Sequence, residues 1–204
     1  MLSPALRQKR GTMGTHVFVD AFTALLLIRP VPSKAKIGRS VVFFKRFVKT
    51  QTGRSVKILR SDFKNTNLVE DIRNECDNTG TRLQASAPYR KEGNGLAERG
   101  ISLWLERTRV NLVRSNAPPD KFEDFARNYS AFQGAYKPLR QNEDGSMCCK
   151  ADLFFGRSHV DLSKMLKAWG CYAVAKIVSP LALGATTRGI RGVFLGISPI
   201  SKAF

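Results

Sequence analysis

Val56-Lys57-Ile58-Leu59-Arg60-Ser61-Asp62 is a β-type run that ends on a carboxylate, and 35 residues separate Asp62 from Glu98 in Asn94-Gly95-Leu96-Ala97-Glu98-Arg99. The second stretch opens the longest helical pattern of the chain, Gly95 to Asn116. It carries Leu96, Leu103, Leu105, Val110, Leu112 and Val113, and Pro118-Pro119 stands behind it as a stop. An Asp at a strand end and a Glu on a helix facing it are hard oxygen donors suited to Mg²⁺. Divalent ions held about 3.5 to 4 Å apart by carboxylates can clamp the attacking and leaving oxygens of a phosphodiester. Taken alone, an Asp and a Glu at a given spacing read as solvated surface acids. The metal reading also asks for a third carboxylate upstream, and Asp20 is the only acid in the first 61 residues.

Charge bears on the partner. The 204 residues carry a net charge of +18 with 43% hydrophobic residues, enough for one substantial core and a field that attracts polyanions. Residues 1 to 61 hold 13 Lys/Arg against one acid, residues 62 to 146 hold 13 against 13, and residues 147 to 204 hold 8 against 2. The acids therefore cluster around the candidate site, with basic flanks able to track phosphates. A solvated basic surface, as in a ribosomal protein, fits the composition equally. Cys76, Cys148, Cys149 and Cys171 show no CxxC pairing, and His16 and His159 are the only imidazoles, so a structural zinc site is not expected. The cysteines read as thiols in a reducing compartment. The apolar run Ala24 to Ile28 is too short for a membrane span, and Met1 to Gly14 lacks the apolar core of a secretory signal.

Periodicity gives the organisation. His16 to Phe22 and Leu25 to Val31 read as neighbouring strands joined around Ala21 to Ala24. Ile37 to Lys49 reads as a helix with Val41, Phe44 and Val48 on one stripe and Lys45, Arg46 and Lys49 on other faces, a general electrostatic surface. Leu68 to Thr79 is a second helix with Gly80 as its C-cap, and Thr81 to Ser86 extends again. Phe122, Phe125, Tyr129, Phe132 and Tyr136 recur at helical intervals and predict core packing rather than a base-stacking platform. Leu139 to Met147 reads as a polar loop and domain boundary. A short helical stretch around Asp152 and a strand from Cys171 to Val178 follow, with another strand from Val193 to Ile197.

Several words, in order, change the weight of the carboxylate pair. Leu59-Arg60-Ser61-Asp62, Ser86-Ala87-Pro88-Tyr89 and Asn94-Gly95-Leu96-Ala97-Glu98-Arg99 resemble the integrase core of copia-type retrotransposons. Upstream, Phe18-Val19-Asp20-Ala21-Phe22-Thr23 is similar to that family's second-strand segment. Downstream, Trp169-Gly170-Cys171-Tyr172-Ala173 and Gly192-Val193-Phe194-Leu195-Gly196-Ile197-Ser198 resemble two further landmarks of its Pol polyprotein, so the resemblance spans roughly residues 16 to 204. It implies an α/β, RNase H-like mixed sheet flanked by helices, with a small C-terminal α+β extension. The implied division is a basic segment at 1–15, a catalytic core-like domain at 16–138, a linker at 139–147 and an extension at 148–204. Asp62 and Glu98 match the second and third members of an Asp-Asp-Glu triad that binds Mg²⁺ or Mn²⁺. Such integrases trim element ends and join them to target DNA in the nucleus. DNA is thus the implied partner, with a homo-oligomer and no membrane association.

Three departures temper the resemblance. The family's first catalytic Asp lies on the strand before Phe18 to Thr23, and no acid precedes Asp20 here. The expectation is an N-terminally truncated core lacking its first strand, with an exposed sheet edge and a weak or lost metal site. After Asp62 the chain reads Phe63-Lys64-Asn65-Thr66-Asn67 in place of Asn-Gly-x-Glu-Phe, and Arg90-Lys91-Glu92-Gly93 replaces a Pro-Gln-rich segment. Asn94, Arg99 and Arg109 are candidate nucleic-acid contacts, along with Arg107 and Arg114. Salt bridges to Glu106 are the competing reading for some of the arginines, and Gly95 serves equally as an ordinary helix entry. The rival function is a non-catalytic basic nucleic-acid-binding protein.

Overall fold

The first chain reversal is built at Asp20. In the computed structural model, which describes residues 14–32, 37–61, 66–85, 94–141, 145, 147–176 and 189–197, Asp20 N donates to Leu25 O and Ala24 N to Asp20 O, each at 2.9 Å. This turn joins β1 (Gly14–Val19) to β2 (Leu26–Val31) in an antiparallel pair, with His16 opposite Arg29 and Phe18 opposite Leu27. Pro30 has no N–H to give a ladder, and it lies exposed in a strand paired only on one side among the described residues.

Helix α1 (Ile37–Thr52) buries Val41 and Val48 and stacks Phe44 on Phe18, ring centroids 4.1 Å apart. Strands β3 (Ile58–Ser61) and β4 (Arg82–Ala85) pair in parallel, which requires a crossover, and α2 (Thr66–Asn78) supplies it. Gly80 ends α2 in the left-handed region (φ +64), where glycine avoids the Cβ clash, and Thr81 N donates back to Cys76 O. One apolar cluster gathers Phe18, Val41, Ile72 and Cys76, with Leu59 and Leu83 packed on it, so both strand pairs share a core with α1 and α2. The arrangement is mixed α/β with small sheets, as the resemblance implies, though not one continuous mixed sheet. Its antiparallel and parallel pairs are separate ladders, with no hydrogen bond joining them among the described residues.

Lys45 corrects the reading of α1. It is buried, not on a solvated face: its Nζ donates to Glu75 O at 3.1 Å and to Thr79 Oγ1, with Glu75 Oε1 3.7 Å away. The last carbonyls of a helix have no partner within it and carry its negative pole, so an ammonium there is favourable.

Helices α3 (Gly95–Ser115) and α4 (Pro119–Tyr136) form a hairpin. Asn116 closes α3 at φ +51, and Pro119 stands at the first position of α4, where a missing N–H costs nothing. Between them Trp104 Nε1 donates to Arg127 O (2.8 Å), and Asn111 Nδ2 donates to Ser130 Oγ and Gln133 Oε1 (3.0 Å each). Tyr129 is buried and stacks on Phe132, and Phe122 and Phe125 pack on the same cluster. The aromatic stripe is core, as its period predicts.

The C-terminal part departs from its reading in two places. Residues 138–141 and 147–149 are strands β5 (Pro138–Gln141) and β6 (Met147–Cys149), paired antiparallel where a polar loop was expected. Helices α5 (Lys150–Phe155) and α6 (Val160–Lys164) follow, then a pair of β7 (Tyr172–Lys176) and β8 (Gly189–Val193). The last strand therefore ends at Val193 instead of running to Ile197. Beyond Val193 the core captures the chain: Phe194 packs edge-on against Tyr129 at 5.2 Å, and Trp169 Nε1 donates to Leu195 O at 3.0 Å. Burying Phe194 contributes roughly 1.5 to 3 kcal/mol, and its backbone stays paired, with Phe194 N donating to Cys171 O at 2.9 Å and Gly170 N donating to Phe194 O at 2.8 Å. Among the described residues no helix is long and apolar enough to cross a membrane.

Candidate functional site

Glu98 stands in the first turn of α3, exposed and, among the described residues, without a hydrogen-bond or ion-pair partner. The helix entry is laid on the end of β1, because a Cβ added to Gly100 would come within 3.2 Å of Val19 Cγ2. Asn94 is the N-cap residue, yet its side chain makes no capping hydrogen bond. The entry thus keeps open N–H groups and a positive pole beside a free carboxylate and a free carboxamide. Asp62 follows Ser61, the last residue of β3, and lies outside the described residues, as do Lys64 and residues 86–93.

Asp20 was the remaining source of a third carboxylate, and the fold has committed it elsewhere. Its Oδ2 accepts from Thr23 N and Thr23 Oγ1, both at 2.7 Å, so the side chain ties the β1–β2 turn. Among the described residues no group of three His, Cys, Asp or Glu side chains stands close enough to hold a metal ion. Mg²⁺ demands near-octahedral oxygen ligation, and of the two carboxylates read as its donors the described residues include only Glu98. These residues do not by themselves fit a resident divalent ion.

The basic side chains divide into two sets. Arg99, Arg109 and Arg114 are exposed along α3, and neither Arg99 nor Arg109 pairs with the exposed Glu106. Arg107 is turned inward, its Nη1 2.6 Å from where a Cβ on Gly134 would sit. Together with Lys150 it lines a shallow pocket floored by Trp104 and Ser130. Lys150 Nζ donates to Ala24 O at 3.0 Å; burial, and then the Arg107 charge, lower its pKa. Arg107 is therefore a packing residue, which its place in the sequence did not reveal.

One constellation went unread in the sequence. Asp152 Oδ1 accepts from His159 N (2.6 Å) and lies 3.0 Å from His159 Nδ1, while its Oδ2 accepts from Cys149 N (2.8 Å). Cysteine, histidine and aspartate side by side suggest a nucleophile. Burial instead pushes the Cys149 thiol up to about 11, which leaves it neutral near pH 7. Cys149 and Asp152 are the N-cap and third residue of α5, and together they form a capping box. The signal was present as Cys149-x-x-Asp152, hidden because cysteine is an uncommon cap.

No family model matches the chain, and no curated protein does. Among solved structures, the chain is similar to a chain of the simian T-cell lymphotropic virus intasome in complex with PP2A regulatory subunit B56 gamma. That likeness has a TM-score of 0.52 at 13% identity, over 88% of this chain and 60% of that one. Two further similar structures are the BIV integrase catalytic core domain (TM-score 0.49, 16% identity, 70% of this chain and 85% of that) and the HTLV-2 integrase catalytic core domain in complex with magnesium, trimeric form (TM-score 0.45, 16% identity, 65% and 80%). At such identities the likeness concerns the fold alone: the chain has a mixed α/β arrangement similar to that of the intasome chain.

Proposed function

We propose that the chain is an integrase-type core that binds DNA and has lost independent strand transfer, descended from a copia-type Pol polyprotein. The observation that carries this reading is the uncommitted Glu98 carboxylate in the first turn of α3, against the end of β1, in a fold shared with an intasome chain. The ancestral reaction joins DNA ends to target DNA with Mg²⁺ or Mn²⁺. In this chain Asp62 and Glu98 would be the donors and the ion would be held weakly, since Asp20 is bound into its turn. Asn94, Arg99 and Arg109 would meet phosphates beside Glu98, with the +18 net charge supplying a salt-sensitive attraction.

Strand transfer with donor-end DNA in Mg²⁺ or Mn²⁺ tests the reading. The expected result is no joined product, together with DNA binding that Mn²⁺ strengthens in the native chain and not in Glu98→Ala. Robust joining abolished by Asp62→Asn would overturn the loss of activity. Binding that ignores the ion, Asp62→Ala and Glu98→Ala alike would favour a second reading, a basic nucleic-acid-binding protein without catalysis, which the net charge supports.

A further inference from the structure

The shallow pocket beside Trp104 lies where four parts of the fold meet. Ala24 comes from the β1–β2 turn, Arg107 from α3, Ser130 and Gly134 from α4, and Lys150 from the first position of α5. Among the described residues no Asp or Glu lines it.

Three polar side chains line the pocket, and each keeps a donor in reserve. The Arg107 guanidinium has five N–H donors and no acceptor, and among the described residues it makes no hydrogen bond or ion pair. Packing fixes its place, since a Cβ on Gly134 would stand 2.6 Å from Nη1. Lys150 Nζ gives one of its three hydrogens to Ala24 O at 3.0 Å and keeps the others. Ser130 is fully buried, and its Oγ accepts from Asn111 Nδ2 at 3.0 Å. That bond leaves the hydroxyl hydrogen without a protein acceptor among the described residues.

Two positive charges are thus held side by side in a partly buried hollow with no counter-charge in its lining. They work against each other: burial, and then the Arg107 charge, lower the Lys150 pKa. A pocket built of donors and cations selects an oxyanion, because its lone pairs find hydrogens and its charge turns the repulsion into attraction. Charge count narrows the class. A phosphodiester carries one negative charge, whereas a phosphomonoester carries about 1.5 to 2 near pH 7, which matches two cations. Position narrows it further. Arg107 follows Glu98 by nine residues, which at about 100° per residue sets the two on opposite sides of α3. DNA lying at Glu98 therefore does not pass over the pocket.

We infer that this pocket binds a dianionic phosphate group, carried by inorganic phosphate or by a small phosphomonoester. Arg107 offers its planar fork to two oxygens, Lys150 turns a second hydrogen to the anion while holding Ala24 O, and Ser130 donates from the floor. Since Lys150 opens α5 and Ala24 belongs to the β1–β2 turn, the bound anion also ties the C-terminal segment to the core. The inference is independent of the strand-transfer reading, because it engages none of Asn94, Glu98, Arg99 or Arg109.

Titration of the full chain with inorganic phosphate, at ionic strength held constant with chloride, tests it. Isothermal titration calorimetry should show saturable binding, and the thermal midpoint should rise with phosphate in proportion to site occupancy. Arg107→Gln and Lys150→Gln should each weaken binding about tenfold or more, and Ser130→Ala about fivefold. Gly134→Ala, which takes the space of Arg107 Nη1, should weaken it as well. Arg46→Gln, which removes an exposed charge on α1, should leave it unchanged. A retained helical circular-dichroism spectrum establishes that each variant is folded, and Lys150→Gln carries the comparison if Arg107→Gln unfolds. Glycerol phosphate separates the two sources: binding as tight as phosphate or tighter supports a monoester, and weaker binding supports the free ion. A folded native chain without saturable phosphate binding would overturn the inference, as would binding that both Arg107→Gln and Lys150→Gln leave unchanged. Competitive displacement of phosphate by a hydroxyl-ended DNA duplex would also overturn it, by making the pocket a nucleic-acid contact.

Discussion

Asp20 and Thr23 share two hydrogen bonds: the carboxylate Oδ2 accepts from the threonine N–H and from its hydroxyl, each at 2.7 Å. The same turn holds Ala24 at φ +53, a conformation that non-glycine residues rarely adopt. Removing the carboxylate loses two charge-assisted bonds at a strained reversal. Asp20→Ala should lower stability by about 2 kcal/mol in urea unfolding and leave the Mn²⁺ response of DNA binding as it was. Unchanged stability with a lost metal response would instead make Asp20 a metal donor.

Lys45 offers a second test of commitment against exposure. Its ammonium serves the carbonyl end of α2 through Glu75 O and Thr79, while its stem packs in the core. Lys45→Met keeps the stem and removes the charge, which leaves the Glu75 carbonyl with the Thr79 hydroxyl as donor and the Glu75 carboxylate without its partner. A loss of about 2 kcal/mol is expected on chemical unfolding. A variant as stable as the native chain would mean that solvent serves those groups equally well.

Local pattern made most of the elements legible. Glycine and proline stops and apolar spacing place α1, α2 and α3 close to their observed bounds, because those signals act within a few residues. What escaped was decided by contacts distant in sequence. Lys45 looks solvated until α2 brings its C-terminus across, and Val193 to Ile197 looks like strand until Trp169 and Tyr129 draw in Phe194. The site divides in the same way. Glu98 was legible as an exposed residue at a helix start, whereas the engagement of Asp20 by Thr23 and of Arg107 by the Gly134 surface depends on turn and packing geometry that spacing does not encode.

The capping box of α5 gives a test that separates structure from catalysis. Asp152 ties Cys149 N to His159 N, and an amide in its place has a single oxygen acceptor to offer. Asp152→Asn should cost about 1 to 2 kcal/mol of stability. In the native chain Cys149 should resist alkylation near pH 7, since burial keeps its thiol protonated. Rapid modification of Cys149 in the folded protein would contradict a purely structural role.

The pH dependence follows from His16. Burial first, and the Arg29 guanidinium opposite it second, lower its pKa from 6.5 to about 4, and its Nδ1 finds no hydrogen-bond partner. Between those values the unfolded chain takes up a proton that the folded chain refuses. Stability is therefore lost as pH falls from about 6.5 to about 4, by at most ~3 kcal/mol, and this contribution is flat beyond either end. Asp152 acts lower: burial raises its pKa, but hydrogen bonds from Cys149 and His159 outweigh it and hold it below 3.8. Its stabilisation is complete above that value and lost only as pH drops through the depressed one. Urea midpoints measured from pH 7 to pH 3 should decline in two stages, and His16→Phe, which keeps a ring beside Phe18, should flatten the first stage alone. Equal slopes between pH 6.5 and 4 in the native chain and in His16→Phe would mean that the imidazole is hydrated and free to protonate in the folded state.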